Sequence, residues 1–290
     1  MADLKKLAIK LGTDGPHKVL PTPRMIKLLY NGAYILQTTS ARYVWEHPYY
    51  PQFYIPRDEL ETNARSSGLT ITEGETYRSP EHDDDGGSSG KAVLAQQLIL
   101  TLGHKSTDRV LAFSSTLTGG PAAALAGLVK VEFESMDQWF EEDTPVFVHP
   151  KDPFKRIDIL ASKRPIRVFI DGEVVAETGM SSHLYETGLS CRYYMPFTAL
   201  NPAVLRASKT RTRCPYKGEA EYYSVEVKEK VHEDVVWFYR TPTLESGAIV
   251  GLVCFYNEKV DIELDGKMLE RPDTHFGKSK PSENKKPSAV

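Results

Sequence analysis

The sequence has few cysteines, no long apolar run and almost no net charge. Its three cysteines, Cys191, Cys214 and Cys254, are widely spaced and form no CxxC pair, which argues against a disulfide framework or a Cys-based zinc site. No run approaches about 18 apolar residues, so we expect no membrane-spanning helix. The N-terminus also lacks the apolar core of a secretory signal. We therefore expect a soluble, cytoplasmic protein that does not bind a membrane.

Charge and motif content exclude several further classes of protein. The chain has 36 basic and 39 acidic residues, a net charge of −3, which gives no broad positive field for nucleic acid. There is no phosphate-binding GxxxxGK[ST] loop and no HExxH. We therefore expect no metal and no cofactor, and any site for an anion must be local.

What the sequence does contain is a duplication. Residues 24–60 align without a gap on residues 164–200 at a constant offset of 140, and residues 124–129 match residues 248–253 at an offset of 124. Identical pairs include Arg24/Arg164, Gly32/Gly172, Glu46/Glu186, Tyr54/Tyr194 and Pro56/Pro196. Matching ends around a shorter middle indicate two copies of one module. We expect the 16 extra residues of the first copy at 78–90.

Both copies begin with a hairpin pattern. Asn31-Gly32 and Asp171-Gly172 each separate two apolar runs and suit a type I′ turn, because both central residues need positive φ. Further runs rich in β-branched and aromatic residues predict strands at 52–55, 192–195, 222–227 and 235–239. Helical patterns occur at 91–102, 122–131 and 246–256. The fold class is therefore mainly β: two tandem, duplicated small domains, each a bent sheet or partial barrel with a few short helices.

These patterns also divide the chain into segments. The predicted order is an N-terminal extension (1–23), a first, diverged module (24–143) with an acidic Gly/Ser loop (78–90), a connector packed across both modules (144–163), a second module (164–268) and a disordered tail (269–290).

Reactive residues are densest in the middle of the second copy. Arginine offers a planar fork to a phosphate or carboxylate, lysine a point charge, and tyrosine a flat face with a polar tip. An alternative is that these side chains brace one another. The candidate ligand-binding residues are Glu186, Arg192, Tyr194, Arg211, Arg213, Cys214, Tyr216 and Lys217.

Several strings in these segments resemble the DUF427 family, a domain of unknown function that some classifications label a nucleotidyltransferase. The strings are ETGLSCRYYMP, TRTRCPYKGEAEYYSV, GLVCFYNEKVD and VFVHPKDPFKRID, and the resemblance covers roughly residues 24–268 as a tandem arrangement. It implies a small β-rich fold but no known reaction. The first copy has Gln52 where the second has Arg192 and lacks the TRCPYKG string, so we expect no equivalent site there.

Three functions stay open on the sequence alone. The leading hypothesis is that the second module binds a small anionic metabolite or nucleotide. The alternatives are an enzyme of unknown reaction, such as nucleotidyl or acyl transfer with Cys214 or Glu186 as the catalytic residue, and an interaction scaffold without a ligand. The sequence decides neither whether the protein is an enzyme nor its oligomeric state.

Overall fold

The computed structural model describes residues 3–80 and 92–274, and the chain divides into two units after Asp152. This boundary falls inside the predicted connector. Most of the predicted acidic loop and of the predicted tail lie outside the described residues. Across the part that is described, no helix has both the length and the apolar character needed to cross a bilayer.

Unit 1 is mainly β, with two antiparallel sheets and two α-helices. Its seven-stranded sheet has the order β1-β4-β5-β9-β8-β7-β6, and its four-stranded sheet has the order β11-β10-β2-β3. The elements are α1 (Leu4–Asp14), β1 (Lys18–Pro21), β2 (Ile26–Tyr30), β3 (Ala33–Thr38), β4 (Arg42–Trp45), β5 (Gln52–Pro56), α2 (Arg57–Ser67), β6 (Thr70–Arg78), β7 (Val93–Leu102), β8 (Lys105–Phe113), a 3-10 helix (Pro121–Leu125), β9 (Leu128–Val131), a 3-10 helix (Phe133–Ser135), β10 (Gln138–Glu141) and β11 (Thr144–Val146).

Unit 2 repeats this arrangement. Its sheets have the orders β12-β15-β16-β20-β19-β18-β17 and β14-β13-β21-β22, and no sheet formed by the described residues of either unit closes into a barrel. The elements are β12 (Ile157–Ser162), β13 (Ile166–Ile170), β14 (Glu173–Thr178), β15 (Ser181–Glu186), β16 (Arg192–Pro196), 3-10 helices (Phe197–Ala199 and Pro202–Val204), β17 (Leu205–Cys214), β18 (Gly218–Val227), β19 (Lys230–Tyr239), a 3-10 helix (Leu244–Ile249), β20 (Leu252–Phe255), β21 (Asp261–Leu264) and β22 (Lys267–Met268).

The two predicted hairpins are confirmed. Tyr30 pairs with Ala33 and Ile170 pairs with Glu173, so each loop has two residues. Both central residues have positive φ in each turn, as a type I′ turn requires. The four predicted strands are also confirmed as β5, β16 and parts of β18 and β19.

The predicted helix at 91–102 is wrong, because residues 93–102 form strand β7. This strand pairs with neighbours on both sides and buries residues on both faces, with Leu98 in one cluster and Ala95 in another. A strand buried on both faces shows no clean alternation, so its apolar spacing resembled a helix. The helices predicted at 122–131 and 246–256 are wrong in their second halves, where a 3-10 helix gives way to β9 or β20.

The extra residues of the first copy lie in two places rather than one. Thirteen residues (57–69) separate β5 from β6, whereas eight (197–204) separate β16 from β17. Fourteen (79–92) separate β6 from β7, whereas three separate β17 from β18. Helix α2, which the sequence analysis missed, therefore accounts for part of the difference. Two features of the sequence could have indicated this helix: the acidic residues of its first turn and Gly68 just after its last residue. In the structure Gly68 adopts the left-handed conformation that commonly ends a helix.

Each seven-stranded sheet carries apolar clusters on both faces. In unit 1 the inner cluster packs β2 and Trp139 of the smaller sheet against β5 and β7. The outer cluster is covered by α1 through Ala8 and Leu11. In the described part of unit 2 the outer face has no such helix, since the residues before β12 are irregular. Its cluster of Leu184, Tyr194, Tyr222, Trp237 and Tyr239 lies beside buried charged groups instead.

Candidate functional site

A buried carboxylate lies at the end of strand β15 in unit 2. Glu186 is 7% exposed, and its Oε2 accepts a hydrogen bond from Lys217 Nζ in the turn between β17 and β18. Its Oε1 lies 3.0 Å from Lys155 Nζ. Burial alone would raise the pKa of Glu186, but the charges of Lys217 and Lys155 outweigh it and hold that pKa below its ordinary value. Glu186 is therefore ionised at neutral pH and held by two lysines.

A second buried ion pair lies nearby on β16. Arg192 donates from Nη1 and Nη2 to the two carboxylate oxygens of Glu258 at 2.7 and 2.8 Å. The Glu258 side chain is 1% exposed, and Thr274 Oγ1 donates to its Oε1 at 2.6 Å. The Arg192 guanidinium lies 5.5 Å from the ring centroid of Trp237. This bidentate geometry fixes the guanidinium plane.

Tyrosine and tryptophan side chains of the outer cluster stand next to these pairs. Trp237 Nε1 donates to Tyr194 Oη at 3.0 Å. The Tyr239 hydroxyl is buried and has no hydrogen-bond partner among residues 3–80 and 92–274. Burial holds the pKa of both Tyr194 and Tyr239 well above its ordinary value, so both hydroxyls stay protonated. Within the described part of the chain, Tyr239 is therefore a hydrogen-bond donor without an acceptor.

A cavity of about 40 Å³ connects these groups. Leu189, at its edge, is 40% exposed, so the cavity reaches the surface there. The lining residues are Glu186, Leu189, Ser190, Arg192, Tyr194, Lys217, Trp237, Tyr239 and Tyr256. Four of the eight residues predicted from the sequence thus lie together: Glu186, Arg192, Tyr194 and Lys217.

The other four predicted residues do not line this cavity. Strand side chains alternate in direction, so Thr212 and Cys214 of β17 are buried whereas Arg211 and Arg213 point outward. Arg211 and Arg213 both form exposed ion pairs with Glu219. Cys214 is 2% exposed.

Tyr216 is buried beside the cavity rather than in its lining, and its carbonyl accepts from Ser246 Oγ at 3.1 Å. Lys155 Nζ lies 5.3 Å from its ring centroid. The structure therefore places Tyr216 and Cys214 behind the site and the two arginines on the opposite face of their strand.

Five important residues were missed from the sequence. Trp237 and Tyr239 are two residues apart in β19 and face the same side of the sheet, a spacing that a search for alternating aromatics in the predicted strand could have found. Tyr256 and Glu258 follow β20, and Lys155 precedes β12. The sequence analysis did not single out these three, because only the tertiary fold places Tyr256 in the lining and pairs Lys155 with Glu186 and Glu258 with Arg192.

Unit 1 has a different charged cluster at the corresponding place. Glu46 corresponds to Glu186, and its Oε1 lies 2.6 Å from Lys130 Nζ and accepts from Tyr54 Oη at 3.0 Å. Lys130 Nζ also lies 3.1 Å from Glu132. The buried lysine thus comes from β9 rather than from the turn between β17 and β18. Matching the β8–β9 and β19–β20 registers places Phe113 at the position of Tyr239.

The two clusters differ in their ion pairs. In unit 2, Lys155, Lys217 and Arg192 face Glu186 and Glu258, an excess of one positive charge. In unit 1, Lys130 faces two glutamates. In the described ranges of both units, no three His, Cys, Asp or Glu side chains are grouped as metal ligands.

Comparison with known families identifies both modules. The family described as a domain of unknown function, DUF427, matches residues 18–77 and 158–266. The chain belongs to the DUF427 family. The two matched segments confirm the tandem arrangement predicted from the sequence. Comparison with curated proteins gives no significant match.

Proposed function

We propose that the second DUF427 module binds a small oxyanion, such as a carboxylate or phosphate group, in the cavity beside Glu186. The observation that supports this most directly is the Tyr239 hydroxyl, a buried donor for which the described residues provide no acceptor. An unsatisfied buried polar group costs about 1–3 kcal/mol, and an anion in the cavity would remove that cost. The excess positive charge of the surrounding ion pairs favours a negatively charged ligand.

The size of the cavity limits what it can hold. Pockets for drug-sized ligands typically measure about 300–1,000 Å³, whereas this cavity measures about 40 Å³. One water needs about 10–15 Å³ of such space, so the cavity has room for a group of a few atoms. A nucleotide would place one terminal group there and leave the rest outside.

The enzyme alternative receives less support from the geometry. Glu186 has a lowered pKa and is held by two lysines, so it is poorly suited to exchange protons at neutral pH. Cys214 is buried and does not line the cavity. We therefore favour binding over nucleotidyl or acyl transfer. An interaction scaffold without a ligand would not need Tyr239 to be a tyrosine.

Titration calorimetry with phosphate and acetate tests this proposal. Tyr239→Phe reproduces the residue of unit 1 and removes only the hydroxyl. A hydrogen bond to a charged group contributes about 1.5–3 kcal/mol, so we expect affinity to fall by about ten- to a hundredfold. Tyr30→Phe is the matched control, because Tyr30 also has a buried hydroxyl without a partner in the described residues but lies in unit 1. Equal affinities of all three proteins, or no binding of either anion, would contradict the proposal.

We further propose that the protein acts in the cytoplasm and does not bind nucleic acid. All three cysteines are free thiols, as is usual in reducing compartments. Arg211 and Arg213 of edge strand β17 and Arg240 just after β19 pair with Glu219 and Glu221, so their charges are largely offset. Cell fractionation tests the first expectation, and finding the protein outside the cytoplasm would contradict it. A DNA-binding assay at low salt tests the second, and binding of DNA would contradict it.

A further inference from the structure

Unit 2 contains a second, larger cavity on the opposite face of strand β16. It measures about 240 Å³, and Tyr193 lines it, whereas the neighbouring Arg192 and Tyr194 line the cavity described above. Its remaining lining residues are Ser190, Cys191, Asn257, Val260, Ile262, Leu269, Glu270, Arg271 and Pro272. For comparison, an apolar cavity of about 150 Å³ is large enough to hold benzene. The second cavity is therefore large enough for one aromatic ring and a small substituent.

The wall of this second cavity formed by residues 269–272 is attached at several points. Leu269 N donates to Ile262 O at 2.7 Å. Arg271 Nε donates to Asp261 Oδ1 at 2.8 Å. Beyond the wall, Thr274 Oγ1 donates to Glu258. The wall is therefore built into the fold of unit 2 by hydrogen bonds on both sides.

Asn257 lines the second cavity with an unused acceptor. The side chain is 8% exposed, and its Nδ2 donates to Cys191 O at 2.8 Å, which fixes the orientation of the amide. Its Oδ1 is buried and has no hydrogen-bond partner among the residues that the structure describes. A ligand with an N–H or O–H group could supply the missing donor.

Unit 1 has aromatic side chains at the corresponding place. Trp139 occupies the position of Ile262 by strand register, and Phe133 follows β9 by two residues as Asn257 follows β20 by two. The two rings are stacked with their centroids 5.1 Å apart. Unit 2 thus has asparagine and isoleucine where unit 1 has two aromatic residues. This difference accompanies the second cavity and the unused acceptor of unit 2.

The charge of the lining argues for a neutral ligand. Burial raises the pKa of the Cys191 thiol and raises that of Tyr193 to about 12, so both are uncharged at neutral pH. Arg271 is paired with Asp261, and Glu270 is exposed to water. An ion buried against this lining would lack a counter-charge, which is costly.

We propose that the second cavity binds a neutral small molecule with an apolar body and an N–H donor, such as an aromatic carboxamide. The apolar body packs on Val260, Ile262 and Leu269, and the N–H group donates to Asn257 Oδ1. This site is independent of the anion cavity and does not rest on it.

Three probes of similar shape test this proposal on the full chain. Benzamide is neutral and has N–H donors, acetophenone is neutral and has none, and benzoate is an anion. We expect benzamide to shift the backbone amide NMR signals of Cys191, Asn257 and Leu269. Since acetophenone leaves the acceptor unsatisfied, it should bind at least about fivefold more weakly. Failure of benzamide to perturb these signals, or equal binding of acetophenone, overturns the proposal.

Two variants that fill the cavity provide a second test. Ile262→Trp introduces the residue of unit 1 and should abolish benzamide binding. Leu269→Trp, at a partly exposed wall position, should do the same if Ile262→Trp fails to fold. Tyr239→Phe is the control and should leave benzamide binding unchanged, because it lies on the other face of the sheet. Benzamide binding that persists in a folded cavity-filling variant would place the ligand elsewhere.

Discussion

At the scale of single residues, burial separates two basic side chains that look alike in the sequence. Lys217 and Arg213 lie four residues apart, but the Lys217 side chain is 9% exposed and that of Arg213 is 52% exposed. The sequence analysis grouped them in one pocket. The alternation of side chains along β17 and the tight turn that follows place them in different environments.

Lys217→Met should therefore destabilise the protein far more than Arg213→Ala. Removing one partner of a buried ion pair typically costs about 3–5 kcal/mol, and Lys155 compensates Glu186 only in part. Loss of an exposed pair costs about 0–1 kcal/mol. Urea unfolding of both variants measures the difference. A loss below about 1 kcal/mol for Lys217→Met would show that its burial contributes little.

The buried carboxylates also predict how stability depends on pH. The folded-state pKa of both Glu186 and Glu258 lies below its ordinary value; burial alone would raise it, but the basic partners of each more than compensate. A carboxyl with a lowered folded-state pKa stabilises the protein above its unfolded-state pKa, about 4.3 for glutamate, and loses that contribution as the pH falls through the folded-state value. The free energy of unfolding should therefore fall in acid below about pH 4.3.

Chemical denaturation at a series of pH values measures this dependence. Glu186→Gln cannot be protonated, so its stability should fall less steeply in acid than that of the wild type. Glu233, at an exposed position of β19, offers a control through Glu233→Gln. Equal acid dependence of wild type and Glu186→Gln would exclude Glu186 as a source of the effect.

At the scale of elements, the two hairpins depend on the left-handed backbone conformation of their turns. Gly172 has φ +82°, and a Cβ added there would meet no atom within 4 Å, so the penalty of a substitution is conformational alone. A residue with a side chain pays about 1–2 kcal/mol in this region.

Gly172→Ala should lower the free energy of unfolding by about 1 kcal/mol. Gly179→Ala is the matched control, because Gly179 has equally open space but no positive φ. Thermal unfolding of both variants compares them. An equal effect of the two substitutions would mean that the type I′ geometry does not determine the stability of the hairpin.

At the scale of the whole molecule, each unit contains its own sheets and apolar clusters. All strands of the two unit 2 sheets come from residues 157–268. We therefore expect residues 153–290 expressed alone to fold and to bind phosphate or acetate with the affinity of the full chain. Circular dichroism and calorimetry test this. An unfolded fragment, or a folded one without affinity, would mean that the site needs unit 1.

The duplication and the β-rich fold could be predicted from the sequence because they depend on local signals. Asn31-Gly32 and Asp171-Gly172 specify their turns directly, and the offset of 140 holds from β2 to β5. The site could be predicted only in part. Glu186, Arg192, Tyr194 and Lys217 stood out as a reactive cluster. Tyr239 reaches the cavity through strand pairing across the sheet, and Lys155 reaches Glu186 from the chain before β12, which no single segment reveals.

The central claim is that an anion occupies the cavity beside Tyr239. A crystal structure of the protein grown with selenate tests it most directly, because selenium gives an anomalous signal that locates the anion. We predict selenate in the cavity lined by Lys217, Arg192 and Tyr239, at hydrogen-bond distance from the Tyr239 hydroxyl, and its absence from that cavity in Tyr239→Phe. Selenate bound only elsewhere, with the cavity of the wild type holding water or nothing, would contradict the account.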